Sequence, residues 1–125
     1  MLVAGDTRAI YDAGFEAEMI SVPGAFEIPA AIAMAHTTER YAGYVALGCV
    51  IRGETSHYEH ICSETARALQ QLATEEKVVL GYGILTCENK EQARMRADMT
   101  KGDKGGEAAK SCLRLFEIKQ LFGLA

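Results

Sequence analysis

An apolar run, Tyr44 to Ile51, leads directly into residues that could carry out acid–base chemistry. Ser56 followed three residues later by Glu59 is a capping box, which predicts that a helix begins at His57. The positive end of the helix macrodipole disfavours a charged imidazolium, so we expect His57 to be neutral and able to accept a proton near pH 7. His57 is therefore the candidate general base, although a histidine at a helix start is also commonly a solvated surface residue.

Two further stretches offer backbone amides or positive charge that would suit an anion. The turn Gly53–Thr55 separates the apolar run from the predicted helix and can present its N–H groups to a phosphate. Lys104 follows Asp103, a predicted N-cap, and so stands at a helix start, where a cation is disfavoured. A nearby anion would remove that conflict, but an exposed lysine also tolerates such a position.

Arg94 and Arg96 lie in a predicted helix that begins at Asn89, with Gln92 three residues later. Arginine is the side chain best suited to clamp a phosphate through two parallel hydrogen bonds. Cations near a helix C-terminus are favourable in any case, so this position alone does not require a ligand.

Phe26 and Glu27 follow the sequence Val-Pro-Gly-Ala, which reads as the end of a strand and a turn. Phe26 could belong to the core. If it points outward instead, its flat face can stack on a heteroaromatic ring, and Glu27 can accept hydrogen bonds from hydroxyl groups.

The elements that must position these residues alternate between strand and helix. Continuous apolar runs suit strands that are covered on both faces, as in a parallel sheet. The alternation predicts right-handed βαβ units in a three-layer α/β/α sandwich, with ligands at the carboxyl ends of the strands. The predicted strands are Glu18–Val22, Tyr44–Ile51 and Lys77–Leu85. The predicted helices are Leu2–Gly14, Phe26–Ala35, a segment that starts at His57 and a segment from Gly105 onward.

The composition restricts the class of protein. The chain has 125 residues, 49% of them hydrophobic and 24% charged, which fits a single globular domain, residues 1–125. A net charge of −4 leaves no basic stripe to neutralise phosphates, which excludes a nucleic-acid partner. The longest apolar run is much shorter than the ~20 residues that cross a bilayer, and no signal-like segment opens the chain, so we expect no membrane association and a cytoplasmic protein. The 4 cysteines are far apart without a CxxC pair, which predicts reduced thiols and no metal site.

Four stretches, in this order, resemble the 6,7-dimethyl-8-ribityllumazine synthase family: VPGAFEIP, ALGCVIRGETSHYEHIC, GILTCEN and KGDKGGEAA. The resemblance implies a flavodoxin-like parallel sheet and the penultimate step of riboflavin biosynthesis. In that step 5-amino-6-ribitylaminouracil condenses with 3,4-dihydroxy-2-butanone 4-phosphate, with loss of phosphate and water. The resemblance also implies that the reaction needs no cofactor.

The resemblance further implies roles for the residues of the first two motifs. Phe26 would stack on the pyrimidine ring, and His57 would transfer protons. Other residues of the same motifs would hold the uracil edge and the ribityl chain: Ala25, Glu27, Cys49, Val50 and Ile51.

In this family the site lies between neighbouring subunits of a pentamer. The resemblance therefore implies that Tyr82, Arg96 and Lys104 act on a ligand held by the adjacent chain. Tyr82 would supply an aromatic wall and Arg96 would clamp the phosphate, while Glu54 and Thr55 would give it backbone amides. A decamer or a 60-subunit shell is also open, because the short KGDKGG connection is similar to that of shell-forming members.

The sequence departs from the family pattern in two places. The usual first strand, which is central in the family's sheet, has no counterpart here, so we expect an N-terminally short domain. Tyr82 stands where phenylalanine is common. The alternatives are a non-catalytic flavin-binding or shell-forming scaffold of the same fold and a flavodoxin-like phosphate-binding regulator. Retention of His57, Arg96 and the Gly53–Thr55 turn together favours the enzyme.

Overall fold

The computed structural model describes residues 2–52 and 57–124, apart from the side chains of Val3, His57 and Tyr58. These residues form five α-helices, one 3₁₀ turn and two strands. In chain order the elements are α1 Leu2–Asp12, the 3₁₀ turn Ala25–Glu27, α2 Ile28–Thr37, β1 Tyr44–Ile51, α3 His57–Glu75, β2 Leu80–Cys87, α4 Lys90–Ala97 and α5 Lys104–Leu121.

The two strands form a parallel pair, in register from Tyr44 beside Leu80 to Ile51 beside Cys87. Parallel strands need a crossover connection, and α3 supplies it. Even-numbered strand residues such as Ala46 face α2 and α3, and odd-numbered ones face α1, α4 and α5. The predicted α/β sandwich with a parallel sheet is confirmed, although the sheet is short.

Small residues let α5 lie close against β2. A side-chain carbon at Gly81 would overlap the backbone carbonyl of Ala108, and one at Gly83 would overlap the Ala108 side chain. On the opposite face a larger apolar core joins the strands to α2 and α3, and burial of this kind is the main stabilising contribution. The buried members of that core are Ile28, Ile32, Ala46, Leu69, Val78, Leu80 and Ile84.

The predicted strand Glu18–Val22 is wrong, because these residues have no regular secondary structure and pair with neither strand. A strand is stabilised by ladder hydrogen bonds to a neighbour. Here a cavity of about 720 Å³ is lined by residues 15–22 on one side and by β1 on the other. Met19 and Ile20 are 67% and 63% exposed, whereas Val22 at the end of the segment packs against the apolar core. The segment therefore lacks the hydrogen-bonded neighbour that a strand needs.

The last predicted strand is displaced along the chain. It runs over Leu80–Cys87 rather than Lys77–Leu85. Lys77 has a φ of 57°, a left-handed conformation, so the chain turns there instead of extending.

The predicted helix caps Asn89 and Asp103 are confirmed, and the predicted cap Ser56 lies outside the described residues. Asn89 precedes α4, and its side chain accepts a hydrogen bond from the Gln92 N–H at 2.9 Å. Asp103 precedes α5, and its side chain accepts from the Gly106 N–H at 3.2 Å. Each cap satisfies a backbone donor that the helix itself leaves unpaired.

Candidate active site

β1 and β2 end side by side, so the residues that follow them meet at one edge of the sheet. Arg52, directly after β1, donates its backbone N–H to the carbonyl of Cys87 at 2.8 Å and so extends the ladder. α3 then begins at His57, and α4 begins after Asn89. This is the edge at which parallel α/β sheets bind ligands.

His57 is the first residue of α3, which confirms the predicted helix start. Its side chain lies outside the described residues, as does the whole of Gly53–Ser56 with the expected phosphate-binding Glu54 and Thr55. The proton-transfer role and the amide contacts to phosphate therefore stay predictions.

The Arg52 side chain bridges two elements, a feature that sequence reasoning missed. Its Nη2 lies 3.0 Å from Glu59 Oε1 in the first turn of α3. Its Nη1 lies 3.3 Å from Glu88 Oε1, directly after β2. The sequence predicts Glu59 in the first turn of a helix and Glu88 after a strand. Their distances from Arg52 depend on how the two strands pair.

Phe26 is 53% exposed, so its interpretation as a core residue is wrong. Its ring lies beside the imidazole of His60, with the ring centroids 6.3 Å apart and the planes 25° from parallel. Sequence reasoning gave His60 no role in the site. An exposed aromatic face at this edge is able to stack on a flat heterocycle.

The 3₁₀ turn lies against β1 near its end. A side-chain carbon at Gly48 would come within 3.9 Å of Ala25 Cβ. Val50 packs against the apolar core, whereas Cys49 and Ile51 are exposed. The structure thus brings the two predicted substrate-binding segments together. We call them the turn group: Ala25–Glu27 and Cys49–Ile51.

The Cys49 thiol is suited to contact a ligand but not to attack it. Partial burial raises the pKa of Cys49 above its ordinary value, and the neighbouring Cys87 thiol adds to the rise. A raised pKa keeps the thiol protonated at neutral pH, whereas the thiolate is the nucleophilic form.

Along the outer edge of β2, a cavity of about 490 Å³ is lined by Tyr82, Arg96 and Lys104 among others. Tyr82 is 45% exposed, and partial burial raises the pKa of its phenol, which therefore stays protonated. Arg96 Nη1 donates to the carbonyl of Thr86 at 3.1 Å and lies 3.6 Å from Cys87 Sγ. Three residues expected to act jointly thus lie together. We call Tyr82, Arg96 and Lys104 the edge group.

Lys104 has an anionic neighbour within its own helix. It is the first residue of α5, and its Nζ lies 3.0 Å from Glu107 Oε2. The Glu107 carboxylate offsets the unfavourable interaction of a cation with the helix start. The position of Lys104 therefore does not by itself require an anionic ligand.

The turn group and the edge group lie on different flanks of the strand pair. Ala25 and Cys49 of the turn group line the cavity beside β1, and the whole edge group lines the cavity beside β2. No residue in the described parts of the chain lines both of these cavities. Cys87 lies between the two groups, because its thiol neighbours the Cys49 thiol and its Sγ lies 3.6 Å from Arg96 Nη1.

Residues 2–52 and 57–124 carry neither a metal cluster nor a membrane-spanning helix. Over these ranges, no group of three or more His, Cys, Asp or Glu side chains could hold a metal ion. Among the described helices, none combines the length and hydrophobicity of a bilayer-spanning segment. The four cysteines all lie in these ranges and are thiols rather than disulfides.

Comparison with known proteins agrees with these motifs. The family model for 6,7-dimethyl-8-ribityllumazine synthase matches residues 1–120. A 6,7-dimethyl-8-ribityllumazine synthase of Novosphingobium aromaticivorans is 54% identical over 120 residues, which cover 96% of this chain and 86% of the relative. The synthase of Zymomonas mobilis is 52% identical over 120 residues, with the same coverage of 96% and 86%. For 6,7-dimethyl-8-ribityllumazine synthase 1 of Rhizobium meliloti the identity is 50% over 127 aligned positions, with coverage of 98% and 83%. The chain therefore belongs to the 6,7-dimethyl-8-ribityllumazine synthase family.

Proposed function

We propose that this chain condenses 5-amino-6-ribitylaminouracil with 3,4-dihydroxy-2-butanone 4-phosphate to 6,7-dimethyl-8-ribityllumazine, releasing phosphate and water. The observation that carries the proposal is the 53% exposure of Phe26 at the ligand-binding edge of the sheet, in a member of this family. An exposed aromatic face gains free energy when a flat ring covers it, and the pyrimidine of the first substrate is such a ring.

The reaction depends chiefly on bringing two small molecules together. An amine of the pyrimidine attacks the ketone of the second substrate, phosphate leaves and water is lost. Holding both substrates in register supplies much of the rate enhancement, because a bimolecular step becomes effectively unimolecular. His57 would add general acid–base catalysis, which contributes about 10²–10⁴-fold.

The turn group would bind the pyrimidine substrate. Phe26 would stack on the ring, and Glu27, which is exposed, would accept hydrogen bonds from hydroxyl groups. The contact between the 3₁₀ turn and β1 supports this role, because it places these residues next to the strand end. The remaining contacts to the uracil edge and ribityl chain would come from Ala25, Cys49, Val50 and Ile51.

The phosphate of the second substrate would be held by two sets of groups. Glu54 and Thr55 would offer backbone amides from the turn after β1. Arg96 would add a charged clamp from the neighbouring chain. Its hydrogen bond to the Thr86 carbonyl supports this role, because it limits the rotamers that the guanidinium adopts.

The assembly we propose is a homopentamer in which the edge group of one chain completes the site of the next. The support is that Ala25 and Cys49 line the cavity beside β1, whereas Tyr82, Arg96 and Lys104 line a different cavity beside β2. A decamer or a 60-subunit shell built from such pentamers would bind the substrates in the same way. Light scattering on the purified protein would distinguish these three sizes.

The direct test is to mix the purified protein with both substrates and record the absorbance of the lumazine product. The enzyme is expected to form product at a rate proportional to protein concentration, with release of one phosphate per lumazine. A flavin-binding or shell-forming scaffold would bind the ring system without turnover. Absence of turnover, with or without binding of the ring system, would overturn the proposal.

A further inference from the structure

Arg52 connects three elements at the edge where both strands end. Its backbone N–H donates to the Cys87 carbonyl at 2.8 Å, which fixes its main chain beside the end of β2. Its guanidinium then contacts two carboxylates: Nη2 lies 3.0 Å from Glu59 Oε1, and Nη1 lies 3.3 Å from Glu88 Oε1. One side chain therefore joins the first turn of α3 to the residue that follows β2.

Glu88 is in turn fixed to the start of α4. Its N–H donates to Gln92 Oε1 at 2.9 Å. The Gln92 N–H donates to the side chain of Asn89, the N-cap of α4, also at 2.9 Å. The contact between Arg52 and Glu88 is thus also a contact with the helix that carries Arg96.

Other ion pairs among the described residues lie within single helices. Arg67 with Glu64 and Arg114 with Glu117 are both three residues apart, so neither pair can orient one element against another. The Arg52 pairs do join different elements, through a planar fork whose donors hold a fixed angle. Because they are half-exposed, they contribute little to overall stability. Their effect is therefore expected on the relative orientation of the elements.

We propose that Arg52 is a positioning residue that sets the separation between the first turn of α3, which begins with His57, and the start of α4, which carries Arg96. The kinetic consequence rests on the proposed function, whereas the structural one does not. Since Arg96 would serve the site of the neighbouring chain, Arg52 would couple two adjacent sites of the assembly.

A different role for Arg52, as a direct ligand of the substrate phosphate, leads to the opposite expectation. In that case Glu59 and Glu88 would compete with the phosphate for the guanidinium, and their removal would strengthen phosphate binding. If Arg52 acts by positioning, removal of the two carboxylates weakens phosphate binding as removal of Arg52 does.

The kinetic test compares Arg52→Ala with the double variant Glu59→Gln/Glu88→Gln. Arg114→Ala is the control, because it removes an arginine from an exposed ion pair within one helix. We expect Arg52→Ala and Glu59→Gln/Glu88→Gln each to raise KM for the phosphate substrate about tenfold, because each removes both ion pairs of Arg52. KM for the pyrimidine substrate should stay at the wild-type value, and Arg114→Ala should change neither. A lower KM for the phosphate substrate in the double variant would overturn the positioning role.

A second measurement does not depend on activity. Hydrogen exchange of the backbone amides in residues 61–64 and at Glu88 and Gln92, which are hydrogen-bonded, should be faster in Arg52→Ala and in Glu59→Gln/Glu88→Gln and unchanged in Arg114→Ala. If the wild type forms no lumazine but exchange is faster in the variants, the proposed function is contradicted and the positioning role of Arg52 is retained. Equal exchange in the wild type and Arg52→Ala would overturn the positioning role of Arg52, whether or not the enzyme is active.

Discussion

The turn group and the edge group are built in different ways. The turn group is fixed by packing, since Ala25 and Val50 rest on the apolar core and leave Phe26 exposed. The edge group is fixed by polar contacts at the surface, such as the ion pair of Lys104 with Glu107. A flat apolar surface suits a heterocycle, whereas cations suit a phosphate. Two substrates with these chemistries therefore need both groups in the same site.

Replacing His57 tests whether this residue transfers protons to a substrate that the turn group binds. His57→Ala is expected to lower kcat about 10²–10⁴-fold, the usual contribution of a general acid–base. Both KM values should stay close to wild type, because the groups that hold the substrates remain. Steady-state measurement of lumazine formation checks this. The control is His36→Ala in the last turn of α2, which should keep the wild-type kcat. An unchanged kcat in His57→Ala would remove this residue from the mechanism.

The edge group is expected to act on binding rather than on the chemical step. Arg96→Ala should raise KM for the phosphate substrate about ten- to hundredfold, the effect of losing a hydrogen bond to a charged group. KM for the pyrimidine substrate should not change. Titration of each substrate at saturating levels of the other separates the two values. Arg94→Ala, on the same helix, is the matched control. An equal effect of the two substitutions would show that only the overall charge of α4 matters.

Mixed assemblies test whether the two groups meet between chains. His57→Ala and Arg96→Ala subunits, unfolded together and refolded at equal amounts, should regain about a quarter of wild-type activity, because about that share of interfaces joins an intact His57 to an intact Arg96 of the next chain. The assay is lumazine formation by the mixture, compared with each variant refolded alone. If both groups served a ligand within one chain, every site in the mixture would carry one substitution. Activity would then stay at the average of the two variants.

Local patterns predicted the elements that carry the site. β1 has the predicted bounds Tyr44–Ile51, α3 begins at the predicted His57, and Asn89 and Asp103 are the predicted caps. Each of these features depends on residues within one strand or one helical turn, and such spacing is visible in the sequence.

The features that sequence reasoning missed depend on distant partners. Glu18–Val22 has the composition of a strand, but a strand also needs a neighbour, and β1 lies across a cavity. The contact between Phe26 and His60 depends on how the 3₁₀ turn lies against α3. Arg52 and Glu88 are 36 residues apart, and they meet only because of the register in which the two strands pair.

The smallest expected effect concerns the open flank beside β1 and should appear in stability alone. Asp6 on α1 borders that cavity, and burial raises its pKa from 3.8 to about 6. A raised carboxyl pKa means that the folded state holds its proton more tightly than the unfolded state does. The free-energy cost of burying the charged carboxylate is therefore absent below about pH 4, grows between about pH 4 and about pH 6, and is constant at higher pH. The Cys112 thiol nearby does not titrate in this range, since burial raises its pKa to about 11.

Asp6→Asn should accordingly be more stable than the wild type at pH 7.5, and the difference should vanish near pH 4. For this half-exposed group we expect about 1 kcal/mol, because solvent screening reduces the full effect of the pKa shift. Urea unfolding at several pH values and fixed protein concentration measures the difference. Asp12→Asn, an exposed position at the end of the same helix, should show no such dependence on pH. Equal unfolding free energies for Asp6→Asn and the wild type at pH 7.5 would mean that the cavity beside β1 solvates the carboxylate fully, and that this flank is more open to water than its packing indicates.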